Sequence, residues 1–204
     1  MGRGNGEEAI GALADAVRAC GLGGPAESVV VMTSGGADSA AAAAGLARVL
    51  GAESVHALHV NYGLRPTADR DERACRELCA RLRIDLHIER GEPGPGNLQA
   101  EAREARYAAA ERLRARTGSD WIATGHTRTD LAETVLYRLA VSPGARALRG
   151  MAERSGRIVR PLLSLERERV RELAGVAGLP FCDDETNLDP RFARNRVRAE
   201  VLPV

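Results

Sequence analysis

The 204-residue chain has no lysine; all 29 of its basic residues are arginine. No side chain here can form a Schiff base or act as an amine nucleophile. Any phosphate must therefore be held by arginine or by backbone N–H groups. An amine that reacts has to arrive as substrate. Cysteine is sparse as well: Cys20, Cys75, Cys79 and Cys182 form neither a Cys-x-x-Cys pair nor the Cys/His spacing of a zinc site. Cys75 and Cys79, one helical turn apart, read as packing residues, and all four cysteines as free thiols, which argues against sulfur-transfer chemistry. No run reaches the roughly 18 apolar residues of a membrane span. The stretch from Met1 to Glu8 lacks the basic start and apolar core of a secretion signal, so a cytoplasmic protein is expected. What is present is globular in composition: 44% hydrophobic, 28% charged, net charge +1. The length suits one α/β domain with a full core, or one domain with a small appendage.

Apolar runs and helical patterns alternate along the chain. A Gly-rich start and an amphipathic helix over Glu7–Cys20 make up residues 1–27, and a domain spans residues 28–204. Strands are expected at Ser28–Thr33, Ser54–Val60, Asp85–Glu89 and Trp121–Thr124. The helices that follow them are expected at Ser39–Leu50, Ala68–Leu82, Leu98–Thr117 and Thr129–Ala140. Short extended pieces at Ile158–Arg160 and Pro180–Cys182 flank a helix over Leu165–Ala177. Such alternation predicts a parallel sheet with helices on both faces. Ligands in these sheets bind beyond the carboxyl ends of the strands, so the loops after strands one, two and four should meet at one crevice.

The loop after strand one is Ser34-Gly35-Gly36-Ala37-Asp38-Ser39. Its glycine pair lets backbone N–H groups approach a ligand with a helix N-terminus behind them, which suits phosphate. It is not a Walker A loop, since a carboxylate stands where that loop has its lysine. Asp38 beside a polyphosphate makes sense if Mg²⁺ bridges the two. The loop after strand two, His59-Val60-Asn61-Tyr62-Gly63-Leu64-Arg65, is polar enough for nucleotide contact; a plain solvated loop accounts for it equally well. Arg103 and Arg106 lie i, i+3 on one helix face and can address one anion, or pair with Glu101 and Glu104. His126, Asp130 and Glu133 fall on one stripe at the start of a helix, just after Gly125. There they can bind a metal, hold a cationic substrate or move a proton, while Thr129 and Asp130 also fit as helix caps. The segment Asp183–Arg198 passes from acidic residues to four arginines in eight positions, either an RNA-backbone patch or a solvated face.

Taken in order, these segments resemble the tRNA(Ile)-lysidine synthetase family of PP-loop ATP pyrophosphatases. The matching residues are Ser34–Ser39, His59–Arg65, Asn97–Tyr107, Gly125–Thr134, Arg160–Leu163, and Asp184 with Asn187, Arg194, Asn195 and Arg198. The resemblance implies a Rossmann-like adenine nucleotide alpha hydrolase (N-type ATP pyrophosphatase) fold. It implies ATP and Mg²⁺ as cofactors, free L-lysine and the CAU-anticodon isoleucine tRNA as partners, and a homodimer as one expected assembly. The reaction it implies adenylylates C2 of the wobble cytidine and then replaces AMP with the lysine ε-amine. The resemblance implies ATP contact by Ser34 to Ser39, His59, Asn61, Arg65 and Gly125, and catalytic roles for Asp38, Arg106, His126, Asp130 and Glu133. Metal contact falls to Asp38 and Asp130, and tRNA or phosphate contact to Arg103, Arg194, Asn195 and Arg198. Three departures stand out. Thr127 replaces a second histidine, Thr129 replaces the first acid of an Asp-Asp pair, and Tyr62 stands where histidine is common. Family members usually carry further C-terminal domains that grip tRNA, which are expected to be missing from a chain ending at Val204. The alternatives are a different PP-loop tRNA-modifying enzyme, such as a thiolase, or a catalytically impaired nucleotide- or tRNA-binding domain.

Overall fold

The computed structural model describes residues 3–63, 68–91, 98–141 and 148–182. The elements run α1 (Arg3–Ala19), β1 (Val29–Met32), α2 (Ala37–Leu50), β2 (Val55–Asn61), α3 (Ala68–Leu82), β3 (Asp85–Arg90) and α4 (Leu98–Thr117). They continue with β4 (Trp121–Ala123), α5 (Arg128–Val141), β5 (Arg154–Ser155), β6 (Ile158–Val159) and a helix we label α6, Arg167–Val176. The sheet order is β3-β2-β1-β4-β6-β5. All neighbours pair in parallel except β5, which runs antiparallel to β6. The expected parallel α/β architecture is therefore present. The extended piece expected at Ile158–Arg160 is the strand β6, and it forms a hairpin with Arg154–Ser155, whose two exposed polar residues carry no apolar alternation. Among the described residues Pro180–Cys182 joins no ladder, and Cys182 N–H donates to the Gly35 carbonyl at 2.8 Å.

The sheet is covered on both faces, which is why β1 is a continuous apolar run rather than an alternating one. Val29 and Val31 point into the larger core with Leu13, Val17, Leu46, Leu78 and Leu173, residues of α1, α2, α3 and α6. Val30 points the other way, to Leu58, Ile122 and Ala109, Ala110 and Leu113 of α4. In α2, Ala40 to Ala44 are all buried; alanine has the highest helix propensity and its short side chain lets neighbouring backbones come close. One such close approach is at Gly45, where a Cβ would sit 2.9 Å from the Leu13 carbonyl oxygen. The α1 helix is thus built into the core rather than appended to it. Among the described residues no helix is long and apolar enough to cross a membrane.

Chain order turns back at the centre of the sheet: β1 leads outward to β2 and β3, while β4 returns to the opposite side of β1. The carboxyl ends of β1 and β4 therefore flank a topological switch point, where such folds bind their ligands.

Candidate active site

The loop leaving β1 is folded by its own serines. Ser39 Oγ accepts from Ser34 N–H at 3.1 Å and donates to the Gly36 carbonyl at 2.9 Å, while the Ser34 hydroxyl lies 3.2 Å from it. Ser39 is therefore not the cap of α2. Gly36 holds that position without a side-chain cap, and the first turn of α2 is presented at the loop with Asp38 in it. Gly35 takes φ +89°, a left-handed value that favours glycine, and a Cβ there would meet the Asp71 Cα at 2.9 Å. The loop is thus seated against α3.

Strand parity explains the second segment. Val55, Ala57, His59 and Asn61 share one face of β2, so His59 and Asn61 continue a buried line. His59 Nδ1 lies 3.0 Å from the Thr33 carbonyl and 3.4 Å from Cys75 Sγ, under the β1 loop. Asn61 donates to Glu72 at 3.0 Å and accepts from Gly63 N–H at 2.9 Å. Asn61 and its bond partners hold Glu72: the Asn61 amide first, then Arg76, keep its carboxyl below the usual carboxylate range despite burial. Tyr62 donates to the Ala102 carbonyl at 2.7 Å, which links this loop to α4. Burial raises its phenol pKa. Arg65 lies outside the described residues.

The loop leaving β4 supplies the acids. Thr127, not Thr129, caps α5: its N–H and its hydroxyl both donate to Asp130 Oδ2 at 2.8 Å, and the Asp130 N–H returns to the hydroxyl at 3.4 Å. This is a reciprocal capping box with aspartate as its acid. The Thr124 hydroxyl is 2.6 Å from His126 Nδ1. Gly125 is required by contact: a Cβ there would lie 2.7 Å from the Asp38 carbonyl oxygen and 2.9 Å from Ser39 N. The β4 loop thus rests directly on the first turn of α2, and the two expected site segments are adjacent.

One residue binds them together, and the sequence reading did not single it out. Arg167, the first residue of α6, places Nε 3.3 Å from Asp38, Nη1 3.3 Å from Glu133 and Nη2 on Asp130. Its own N–H donates to the Thr129 hydroxyl at 3.2 Å, so Thr129 fixes the start of α6. Burial pushes the Asp130 carboxyl up, but Arg167 and the two Thr127 donors outweigh it and hold the group below its ordinary value. Burial likewise works against charge on Arg167, and Asp130, Asp38 and Glu133 together outweigh it. The signal that could have revealed Arg167 is its position: a cation in the first turn opposes the helix dipole and needs carboxylate partners.

Farther out, Arg103 stacks 5.0 Å from the Tyr107 ring centroid, and Arg106 Nε donates to the Ala102 carbonyl at 3.3 Å. Among the described residues neither pairs with Glu101 or Glu104, and both are exposed. Arg194, Asn195 and Arg198 lie outside the described residues. Among the described residues no group of three or more histidine, cysteine or acidic side chains is placed to hold a metal ion by itself. Both Asp130 oxygens are engaged, and Asp38, which meets Arg167 through Oδ2, lies in the phosphate-type loop. The place of Asp38 in that loop suits Mg²⁺ carried in by phosphates and completed by one carboxylate.

The chain is 39% identical to the tRNA(Ile)-lysidine synthase of Solibacter usitatus over 177 residues, 86% of this chain and 40% of that protein. It is 39% identical to the one of Symbiobacterium thermophilum over 88% of this chain and 40% of that protein. With the enzyme of Bacteroides thetaiotaomicron the identity is 36%, over 88% of this chain and 43% of that protein. The chain thus spans about two fifths of the length of these relatives. Among solved structures it is similar to the tRNA thiolase NcsA of Methanococcus maripaludis, with a TM-score of 0.72 at 17% identity, covering 94% of this chain and 77% of that one. It is also similar to the NH3-dependent NAD synthetase of Campylobacter jejuni, with a TM-score of 0.56 at 20% identity, covering 94% and 78%. At those identities the likeness shows the fold alone. A family model described as a PP-loop domain matches residues 12–204, and the chain belongs to that ATP-binding family.

Proposed function

We propose that this chain is the catalytic domain of an ATP-dependent ligase that joins lysine to C2 of the wobble cytidine in the CAU-anticodon isoleucine tRNA. The observation that carries the reading is the shared Arg167, which links Asp38 of the phosphate-type loop to the two α5 acids across the switch point. An ATP-cleaving loop and an amine-binding acid pair belong side by side only if the activated group meets an amine. The named similarity of the relatives supports lysine and this tRNA as the partners.

The chemistry takes two displacements. The C2 oxygen of the cytidine attacks the α-phosphorus of ATP and pyrophosphate leaves. The lysine ε-amine then attacks C2, the C2–O bond breaks, AMP leaves and the amine gives up a proton. Backbone N–H groups from Gly35, Gly36 and Ala37 cradle the departing pyrophosphate in the loop that Ser34 and Ser39 shape, with the N-terminus of α2 behind them. Asp38 would hold Mg²⁺, which supplies charge neutralisation at the phosphates. His59 and Asn61 act from inside, fixing the two loops that face the nucleotide, and Gly125 keeps the β4 loop against them. Asp130 and Glu133 receive the ammonium and align it. His126 in the β4 loop and Arg106 on α4 are assigned to the phosphate or the activated base. Arg65 joins the nucleotide contacts, while Arg103, Arg194 and Arg198 supply cations, and Asn195 a neutral amide, for the tRNA backbone. A cytoplasmic homodimer is consistent with this chemistry.

The cysteines argue against sulfur transfer. Burial pushes the Cys75 thiol up to about 11 and the Cys79 thiol to about 12, so neither is a thiolate at neutral pH. The test is AMP and pyrophosphate release from ATP with a CAU-anticodon isoleucine tRNA transcript, with and without lysine. AMP release that depends on lysine, with lysidine in the product, supports the reading. Nucleotide binding without turnover, or turnover indifferent to lysine, overturns it.

A further inference from the structure

Arg167 is poised between two jobs. All three of its guanidinium nitrogens meet carboxylates: Nε on Asp38, Nη1 on Glu133 and Nη2 on Asp130. Two of those carboxylates are the acids that the ligase reading assigns to the substrate ammonium. A guanidinium in that place does to Asp130 and Glu133 what the ammonium would do. The third carboxylate belongs to the nucleotide loop, so the same side chain already touches the edge of the phosphate site. The Arg167 side chain is 20% exposed, so it is not sealed in the core. Its backbone is anchored separately, by its N–H on Thr129 and by Arg128 N–H donating to the Leu165 carbonyl at 2.7 Å.

We propose that Arg167 is a positioning residue that keeps the amine subsite closed until nucleotide is bound: it fills the ammonium's place between Asp130 and Glu133 and turns to the nucleotide phosphates once the loop is occupied. The inference rests on the ligase reading and deepens it. Guanidinium binds phosphate in a planar, two-pronged fashion that a carboxylate set spread over two helices does not match, so the phosphate is the better partner when it is present. The consequence is order. Lysine binds after ATP, and free amines do not occupy the acid pair of the empty enzyme.

The test is calorimetric titration of L-lysine into the chain with and without Mg·ATP, in the absence of tRNA. Wild type should bind lysine on the order of tenfold more tightly with nucleotide present, the scale of one charge-assisted contact relieved. Arg167→Met should bind lysine more tightly than wild type without nucleotide, by a similar factor, and should lose the nucleotide dependence. Arg167→Lys, which keeps the charge, should restore that dependence. A merely structural arginine predicts the opposite sign: Arg167→Met would lose thermal stability and lysine affinity together. Equal lysine affinity in wild type with and without nucleotide overturns the inference, and this comparison decides alone if Arg167→Met does not fold. A folded Arg167→Met that binds lysine no better than wild type also overturns it. Lysine-dependent AMP release by wild type in the tRNA assay separates these failures from a failure of the ligase reading.

Discussion

Replacing Gly125 with alanine tests whether the two site loops depend on each other. The new Cβ would lie 2.7 Å from the Asp38 carbonyl oxygen, 2.8 Å from its carbon and 2.9 Å from Ser39 N. All three are backbone atoms in the first turn of α2, so no side chain can swing aside. The nearest contact is roughly 0.7 Å short of ordinary van der Waals distance, and the β4 loop or α2 must shift by that much. Overpacking of this kind costs about 1–3 kcal/mol. In a chain of this size that lowers Tm by about 2–4 °C per kcal/mol. The shift also moves Asp130 away from Asp38, and a misplacement approaching 1 Å costs on the order of a hundredfold in rate. Thermal unfolding without nucleotide and AMP release with tRNA and lysine measure the two effects separately. Gly11→Ala is the control: Gly11 lies inside α1 with nothing within 4 Å of a built Cβ, and alanine there should stabilise by about 0.5–1 kcal/mol. If Gly125 served only to offer its N–H to ATP, the unliganded protein would melt normally. A Gly125→Ala chain with unchanged Tm and unchanged turnover would refute the packing account.

Thr127→Ala removes the hydroxyl that caps α5 and donates to Asp130. It should cost about 1 kcal/mol in urea unfolding, and Thr127→Ser should recover most of the loss. Glu72 has a folded pKa below its ordinary value of 4.5 because Asn61 and Arg76 favour the ionised form. The unfolded chain then takes up the proton first, so this stabilisation is full above the unfolded pKa and disappears as pH falls through the folded one. Urea midpoints between pH 6 and pH 3 should fall more steeply for wild type than for Glu72→Gln; parallel slopes would count against the assignment. Thiol alkylation at pH 8 should label Cys182 before Cys75 and Cys79, whose buried thiols sit at about 11 and about 12. Rapid labelling of all four in the folded protein would contradict their burial.

The framework was legible because the sheet is covered on both faces, so its strands announce themselves as apolar runs and its helices as the alanine-rich or charged stretches between them. The bounds of α3 and α4 fall where the sequence places them, since Ala68–Leu82 and Leu98–Thr117 are each closed by abrupt composition changes. The short strand β5 was not legible: Arg154 and Ser155 are exposed, and only their pairing with β6 makes them a strand. The caps were misplaced by two residues because threonine stands at both 127 and 129, and local sequence does not say which hydroxyl faces Asp130. Arg167 shows the deeper reason. In the run Glu166-Arg167-Glu168-Arg169 it reads as one charge on a solvated face, and Arg169 does pair locally with Glu172 at 2.6 Å. What separates the two arginines is that α6 begins at Arg167, after the turns that follow the strand lying beside β4. A cation there opposes the dipole of its own helix while three acids approach from the N-termini of two others, each of which gains by carrying an acid. Neither half of that arrangement balances alone. Asp38 and Asp130 are favourable first-turn acids in their own helices and become a site only where a third helix brings a cation to them, and that meeting is set by the order of strands rather than by any local run of residues.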